Sequence, residues 1–116
     1  MRRNLYYHDS RFTFHISQTM HIGEFQKLIE DIYLEKDSSR GIEKSFLWLV
    51  EEIGELAEAI REGDKEQQKV EFGDCLAWLV TIASMAGINM EEASSIYHRG
   101  CPKCKDIPCR CKEKKK

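Results

Sequence analysis

The run from Val70 to Ile88 carries two charges, Glu71 and Asp74, in a stretch otherwise built of apolar and small residues. Wound as a helix it is apolar almost all round, and such a helix belongs in a protein interior. Glu71 and Asp74 stand three residues apart, so they share one helical face with Trp78, Thr81, Ile82 and Met85. Both carboxylates therefore point into a largely apolar neighbourhood. Burying unpaired carboxylates costs roughly several kcal/mol each, and adjacent like charges add to that cost. Something positive should sit between them, and the preceding helical segment offers only Arg61 near its end.

The rest of the chain can be read around this segment. Ile22, Phe25, Leu28, Ile29, Ile32 and Tyr33 recur at three- and four-residue steps, which predicts a first helix from His21 to Asp37. Asp37 to Gly41 interrupts the pattern with cap and turn residues. A second helix follows from about Glu43 to Glu62, and Gly63-Asp64 supplies a break. Asp64 caps a third helix that runs to about Ala86, Gly87 ends it, and Asn89 or its neighbour caps a short fourth helix through Tyr97. The expected class is all-α, an antiparallel bundle of about four helices with a small Cys-rich tail. Residues 1–19 read as a weakly ordered extension, residues 20–98 as the helical domain and 99–116 as the tail. The alternation over 11–17 looks like a short strand with no partner to pair with.

The second helix carries two distinguishable lines. Phe46, Leu49, Val50, Ile53, Leu56, Ala57 and Ile60 form its expected core stripe. Beside them run Trp48, Glu52, Glu55 and Ala59, while Glu51, Glu58 and Glu62 project further round toward solvent. The short connection at Gly63 requires the second and third helices to be antiparallel neighbours. Residues equidistant from Gly63 then lie level: Glu52 meets Asp74, Glu55 meets Glu71, and Trp48 meets Trp78. Four carboxylates converge at one height, with two tryptophans about one turn away.

An all-oxygen donor set suits Mg²⁺, Mn²⁺ or Ca²⁺, whereas zinc and iron sites usually recruit imidazole or thiolate. His8, His15, His21 and His98 fall outside the second and third helices, which argues against a di-iron bundle. A calcium sensor would carry its Asp and Asn ligands on a loop. Mg²⁺ binds a few carboxylates and completes its shell with waters and phosphates, so the spacing points to phosphate chemistry. Arg40, Lys44 and Lys69 are candidates to reach phosphates, and Trp48 to stack on a base.

Charge layout sets limits on partners. The formal net charge of -2 conceals a body, 21–97, with 7 basic and 17 acidic side chains, and a tail, 98–116, with 8 basic and 2 acidic. An acidic body argues against a broad nucleic-acid surface. No apolar run reaches the roughly 18 residues of a membrane span, and Arg2 and Arg3 precede no apolar stretch, so no secretory signal is visible. A cytoplasmic location is expected.

Glu51-Glu52-Ile-Gly-Glu55, followed by Glu71-Phe-Gly-Asp74, resembles the E-E-x-x-E and E-x-x-D signature of the all-α nucleotide pyrophosphohydrolases, the MazG-like proteins and their dimeric dUTPase relatives. The likeness runs from about Ile22 to Tyr97 and includes Glu24-Phe-Gln-Lys27 and Leu47-Trp-Leu-Val50. The resemblance implies Mg²⁺-dependent hydrolysis of a nucleoside triphosphate between the α and β phosphates. It implies metal ligands at Glu52, Glu55, Glu71 and Asp74, with Glu51 as candidate base or outer-shell group. It also implies assembly as a homodimer or homotetramer.

Cys101, Cys104, Cys109 and Cys111 form C-x2-C-x4-C-x-C, four thiols at metal-ligand spacing. Tetrahedral Zn²⁺ is the first reading, with an iron–sulfur cluster or a redox dithiol behind it. Cys75, inside the apolar run, reads as a core residue. A competing non-catalytic reading makes the helices a dimeric support and the basic, Cys-rich tail the contact for nucleic acid or protein. The inward acidic quartet separates the two, because a scaffold has no need of it.

Overall fold

A computed structural model describes residues 19–113. The expected extension, with its strand-like alternation, lies almost entirely outside the described residues, as do the last three lysines. Among the described residues the fold is all-α: α1 (Ile22–Arg40), α2 (Ile42–Glu62), α3 (Lys65–Met85) and α4 (Met90–Ser94), the last continued by a 3-10 turn over Ser95–Tyr97.

α1 begins where His21 N donates to Glu24 Oε1 at 3.0 Å, and it ends later than its sequence suggests. Asp37 was expected to break the helix as a cap or turn residue. Instead its side chain is buried at 1% exposure and accepts from Arg40 Nη1 at 2.7 Å, so an inward ion pair one turn apart carries the helix on. The break falls at Gly41, whose φ of +94° lies in a region that side-chain-bearing residues rarely adopt. The second hairpin matches expectation. Gly63 closes α2 in the left-handed conformation, and Asp64 Oδ1 accepts from Gln67 N at 3.1 Å to cap α3.

α3 is the central helix, packing against α2 along the hairpin and against α1 on another side. Ile29, Ala77 and Val80 form the buried apolar centre, with Ile22, Phe25, Tyr33 and Met90 around it. Gln26 locks α1 to the end of α3. Its Nε2 donates to Ser84 Oγ at 3.0 Å and to Ile88 O at 2.9 Å, and its Oε1 accepts from Met90 N at 2.8 Å. Asn89 then caps α4 by accepting from Glu92 N.

The expected core stripe of α2 requires correction. Within this chain Leu49 is buried and Leu56 half-buried, while Phe46, Val50, Ile53, Ala57 and Ile60 are exposed. The line that α2 buries is Ser45, Leu49, Glu52 and Ala59. α3 is likewise covered on two sides rather than all round, leaving Phe72, Leu76 and Leu79 open. Apolar periodicity marks the face that gains by burial, but it does not say which surface covers it. No single described helix is long and apolar enough to cross a membrane.

Candidate functional site

α2 and α3 bury carboxylates against each other. Glu52, Glu71 and Asp74 are 1%, 3% and 1% exposed, and Glu55 is half-buried. Oxygen atoms from Glu52, Glu55 and Glu71 lie within 4.8 Å of one another. Asp74 joins this trio through its electrostatic coupling to Glu52 and Glu71. All four predicted positions are thus brought together, with the three glutamates as the tight set and Asp74 coupled to two of them.

The electrostatics follow from that crowding. Burial, then the charge of Glu52 and its hydrogen bond, then Glu71, push the Asp74 carboxyl from 3.8 up to about 8. A group of buried like charges on oxygen donors is what a hard divalent cation neutralises, and the absence of imidazole or thiolate in the set fits Mg²⁺ or Mn²⁺. The residues present therefore fit the metal that their spacing suggests.

The tertiary structure adds groups that the spacing did not single out. Gln67 Nε2 donates to Glu71 Oε2 at 3.3 Å, and the signal available in the sequence was its place one turn ahead on the same helical face. A cleft of about 300 Å³ opens beside Glu55 and Glu71, with Glu58, Glu62 and Asp64 in its wall. Glu58 and Glu62 were expected to face solvent alone; they are exposed, and they also line this cleft. Glu51 is exposed, off the buried line of Glu52.

At the other end of the cluster Trp48 and Trp78 stack, with ring centroids 6.5 Å apart and planes 14° apart. Trp78 is fully buried and Trp48 half-buried. Arg40 lies over the Trp78 ring, its Cζ 5.2 Å from the centroid, while Asp37 holds its guanidinium. Lys44 is exposed on α2, and Lys69 is exposed with its Nζ 3.7 Å from Glu66.

The four tail cysteines form a second cluster, their sulfurs all within 4.8 Å of one another. Cys75 stands apart from it, half-buried on α3, its thiol pushed up to about 11 by burial and then by Glu52, Glu71 and Asp74.

The model of the MazG nucleotide pyrophosphohydrolase domain matches residues 40–101, more than half of the chain, from the end of α1 through α4 to the first tail cysteine. No curated protein matches the sequence.

Proposed function

The chain belongs to the MazG nucleotide pyrophosphohydrolase domain family, and from that premise we propose that it hydrolyses a nucleoside or deoxynucleoside triphosphate to the monophosphate and pyrophosphate. The convergence of Glu52, Glu55, Glu71 and Asp74 between α2 and α3 carries this reading. These four residues would hold Mg²⁺, with Mn²⁺ as a substitute. Bound there, the metal supplies neutralisation of triphosphate charge and orientation of the phosphates for in-line attack.

The chain's own groups divide the remaining work. Water attacks the α phosphorus, the α–β anhydride bond breaks, and pyrophosphate leaves. The proton of the attacking water passes to a carboxylate, with Glu52 and the exposed Glu51 as the candidates. Gln67 orients Glu71 by its hydrogen bond. Trp48 offers a half-buried ring for the base to stack on. Lys44, exposed on α2, is the candidate to meet phosphate charge, whereas Arg40 acts through the tryptophan pair because Asp37 already engages it.

The helical domain over 20–98 would carry this activity, with 99–116 as a separate tail. Assembly as a homodimer or homotetramer goes with the reading, because Phe46, Val50, Ile53, Phe72 and Leu79 are 43% to 56% exposed on α2 and α3, and Ile53, Phe72 and Leu79 line one apolar groove. Apolar patches of that kind mark protein contacts. Nucleotide-pool housecleaning in the cytoplasm is the corresponding role.

A product-resolved screen of canonical and modified triphosphates with Mg²⁺ tests the proposal. Monophosphate and pyrophosphate are expected from at least one substrate. Release of orthophosphate alone would overturn the cleavage position, and turnover of no triphosphate would overturn the reaction.

A further inference from the structure

Residues 98–113 contain no helix or strand and no fully buried side chain, yet their backbone follows a defined path. Its contacts converge on sulfur. Lys105 N donates to Cys101 O at 2.7 Å and Cys101 N to Asp106 O at 3.1 Å, closing a tight loop. Inside that loop, Arg110 N donates to Cys104 Sγ at 3.4 Å. Cys111 N donates to Cys109 Sγ at 3.3 Å. Backbone N–H groups aimed at sulfur are the donors that orient thiolate ligands around a metal.

The sulfur spacing selects among the things thiolates can bind. Cys101 Sγ and Cys111 Sγ are 3.7 Å apart, and Cys104 Sγ and Cys109 Sγ 4.0 Å. Four ligands at the zinc–sulfur distance of about 2.3 Å, set at tetrahedral corners, stand about 3.8 Å from one another. An iron–sulfur cluster sets cysteines on different irons, with irons and bridging sulfides between them, so those sulfurs stand well beyond the 4.8 Å within which all four lie here. Thiolate sets of this size also bind Zn²⁺ more tightly than Fe²⁺.

We propose that Cys101, Cys104, Cys109 and Cys111 bind one structural Zn²⁺ that folds the C-terminal tail, a site separate from the carboxylate cluster and independent of the reaction assigned to it. Binding converts four thiols and Zn²⁺ to a tetrathiolate of charge about −2 with release of four protons. Lys103, Lys105, Arg110 and Lys112 supply compensating charge around it. Cys104, Cys109 and Cys111 lie beyond the residues matched by the family model, so the site is an addition to the MazG domain. The chain then carries two metals of opposite class, one on oxygen and one on sulfur.

Gly100 gives the site an independent handle. It has a φ of +101°, and a Cβ placed there would lie 2.7 Å from Ile107 Cγ1 and 2.8 Å from Asp106 O. The loop that carries the second pair of cysteines closes directly over this glycine, and the carbonyl cannot swing aside as a side chain would.

The test uses the full chain purified without a metal-binding tag, its metal content measured by mass spectrometry and its tail probed by Co²⁺ substitution. One zinc per chain is expected, with Co²⁺ giving thiolate charge-transfer bands and the intense visible bands of a tetrahedral site. Cys104→Ser should drop zinc to near zero, and Gly100→Ala should weaken Co²⁺ binding at least 100-fold, both with unchanged helical circular dichroism. Glu52→Gln should retain one zinc, so failure of the nucleotide chemistry leaves this result intact. Bound iron in place of zinc, a mass four protons lower from two disulfides with no metal, or full zinc retention in Cys104→Ser would each overturn the proposal.

Discussion

Trp48 and Trp78 stack across the α2–α3 hairpin with ring centroids 6.5 Å apart, and because both are equidistant from Gly63 this contact fixes the register that sets Glu52 level with Asp74. Trp78 has no exposed surface. Trp78→Ala is expected to lower unfolding free energy by about 3–5 kcal/mol, the usual loss for deleting a buried aromatic ring. Trp48→Phe keeps a ring in the stack and should cost under about 1.5 kcal/mol. Urea denaturation followed by circular dichroism checks both, and equal losses would show that the stack does not hold the register.

The carboxylates should be separable from the fold. Glu52→Gln or Asp74→Asn is expected to reduce Mg²⁺-dependent pyrophosphate release by at least about 100-fold while leaving the helical spectrum intact, since each amide keeps the size of the carboxyl that it replaces and adds no charge to the cluster. Chelation of Mg²⁺ should have the same effect on the native chain and be reversed by adding the metal back. Full activity in the double variant Glu71→Gln with Asp74→Asn would remove the site from the mechanism.

Stability of the metal-free protein should depend on pH through Asp74. Its carboxyl is raised from 3.8 in the unfolded chain to about 8 in the fold, so between these values the folded state holds the proton that the unfolded state releases. The stabilisation is complete below pH 4 and is lost as pH rises through 8. The thermal midpoint of the metal-free chain is therefore expected to fall between pH 5 and pH 9. Asp74→Asn should flatten this slope, and Mg²⁺ should offset it by binding the ionised form. A midpoint rising over this range in the metal-free chain would contradict the burial of Asp74 beside Glu52.

The open apolar face makes a prediction about assembly. Ile53 and Phe72 are 50% and 56% exposed, and Ile53 lines an apolar groove with Phe72, Leu76 and Leu79. If copies assemble through this face as proposed, Ile53→Glu combined with Phe72→Glu should shift the mass seen in light scattering from oligomer to monomer, because two desolvated charges on each copy oppose the contact. An unchanged mass would place the interface on another surface.

Much of this arrangement was already contained in the sequence, because helical periodicity is local. The apolar run around Glu71 and Asp74, the left-handed break at Gly63 and the cap at Asp64 are enough to build a hairpin and to bring four carboxylates level. The cysteine spacing likewise specifies a four-sulfur cluster. Contacts between distant segments were decided by the tertiary structure. Asp37 became an inward ion-pair partner instead of a helix stop because Arg40 and the Trp78 ring were there to receive it, which moved the end of α1 to Gly41. Gln26 became a clamp because Ser84, Ile88 and Met90 were brought to it from more than 50 residues away. The stripe on α2 shows the division most clearly. Its period states that Phe46, Val50 and Ile53 gain by leaving water, but α3 covers the neighbouring carboxylate line instead, and which surface buries a stripe depends on the packing of whole helices rather than on the order of residues along one of them.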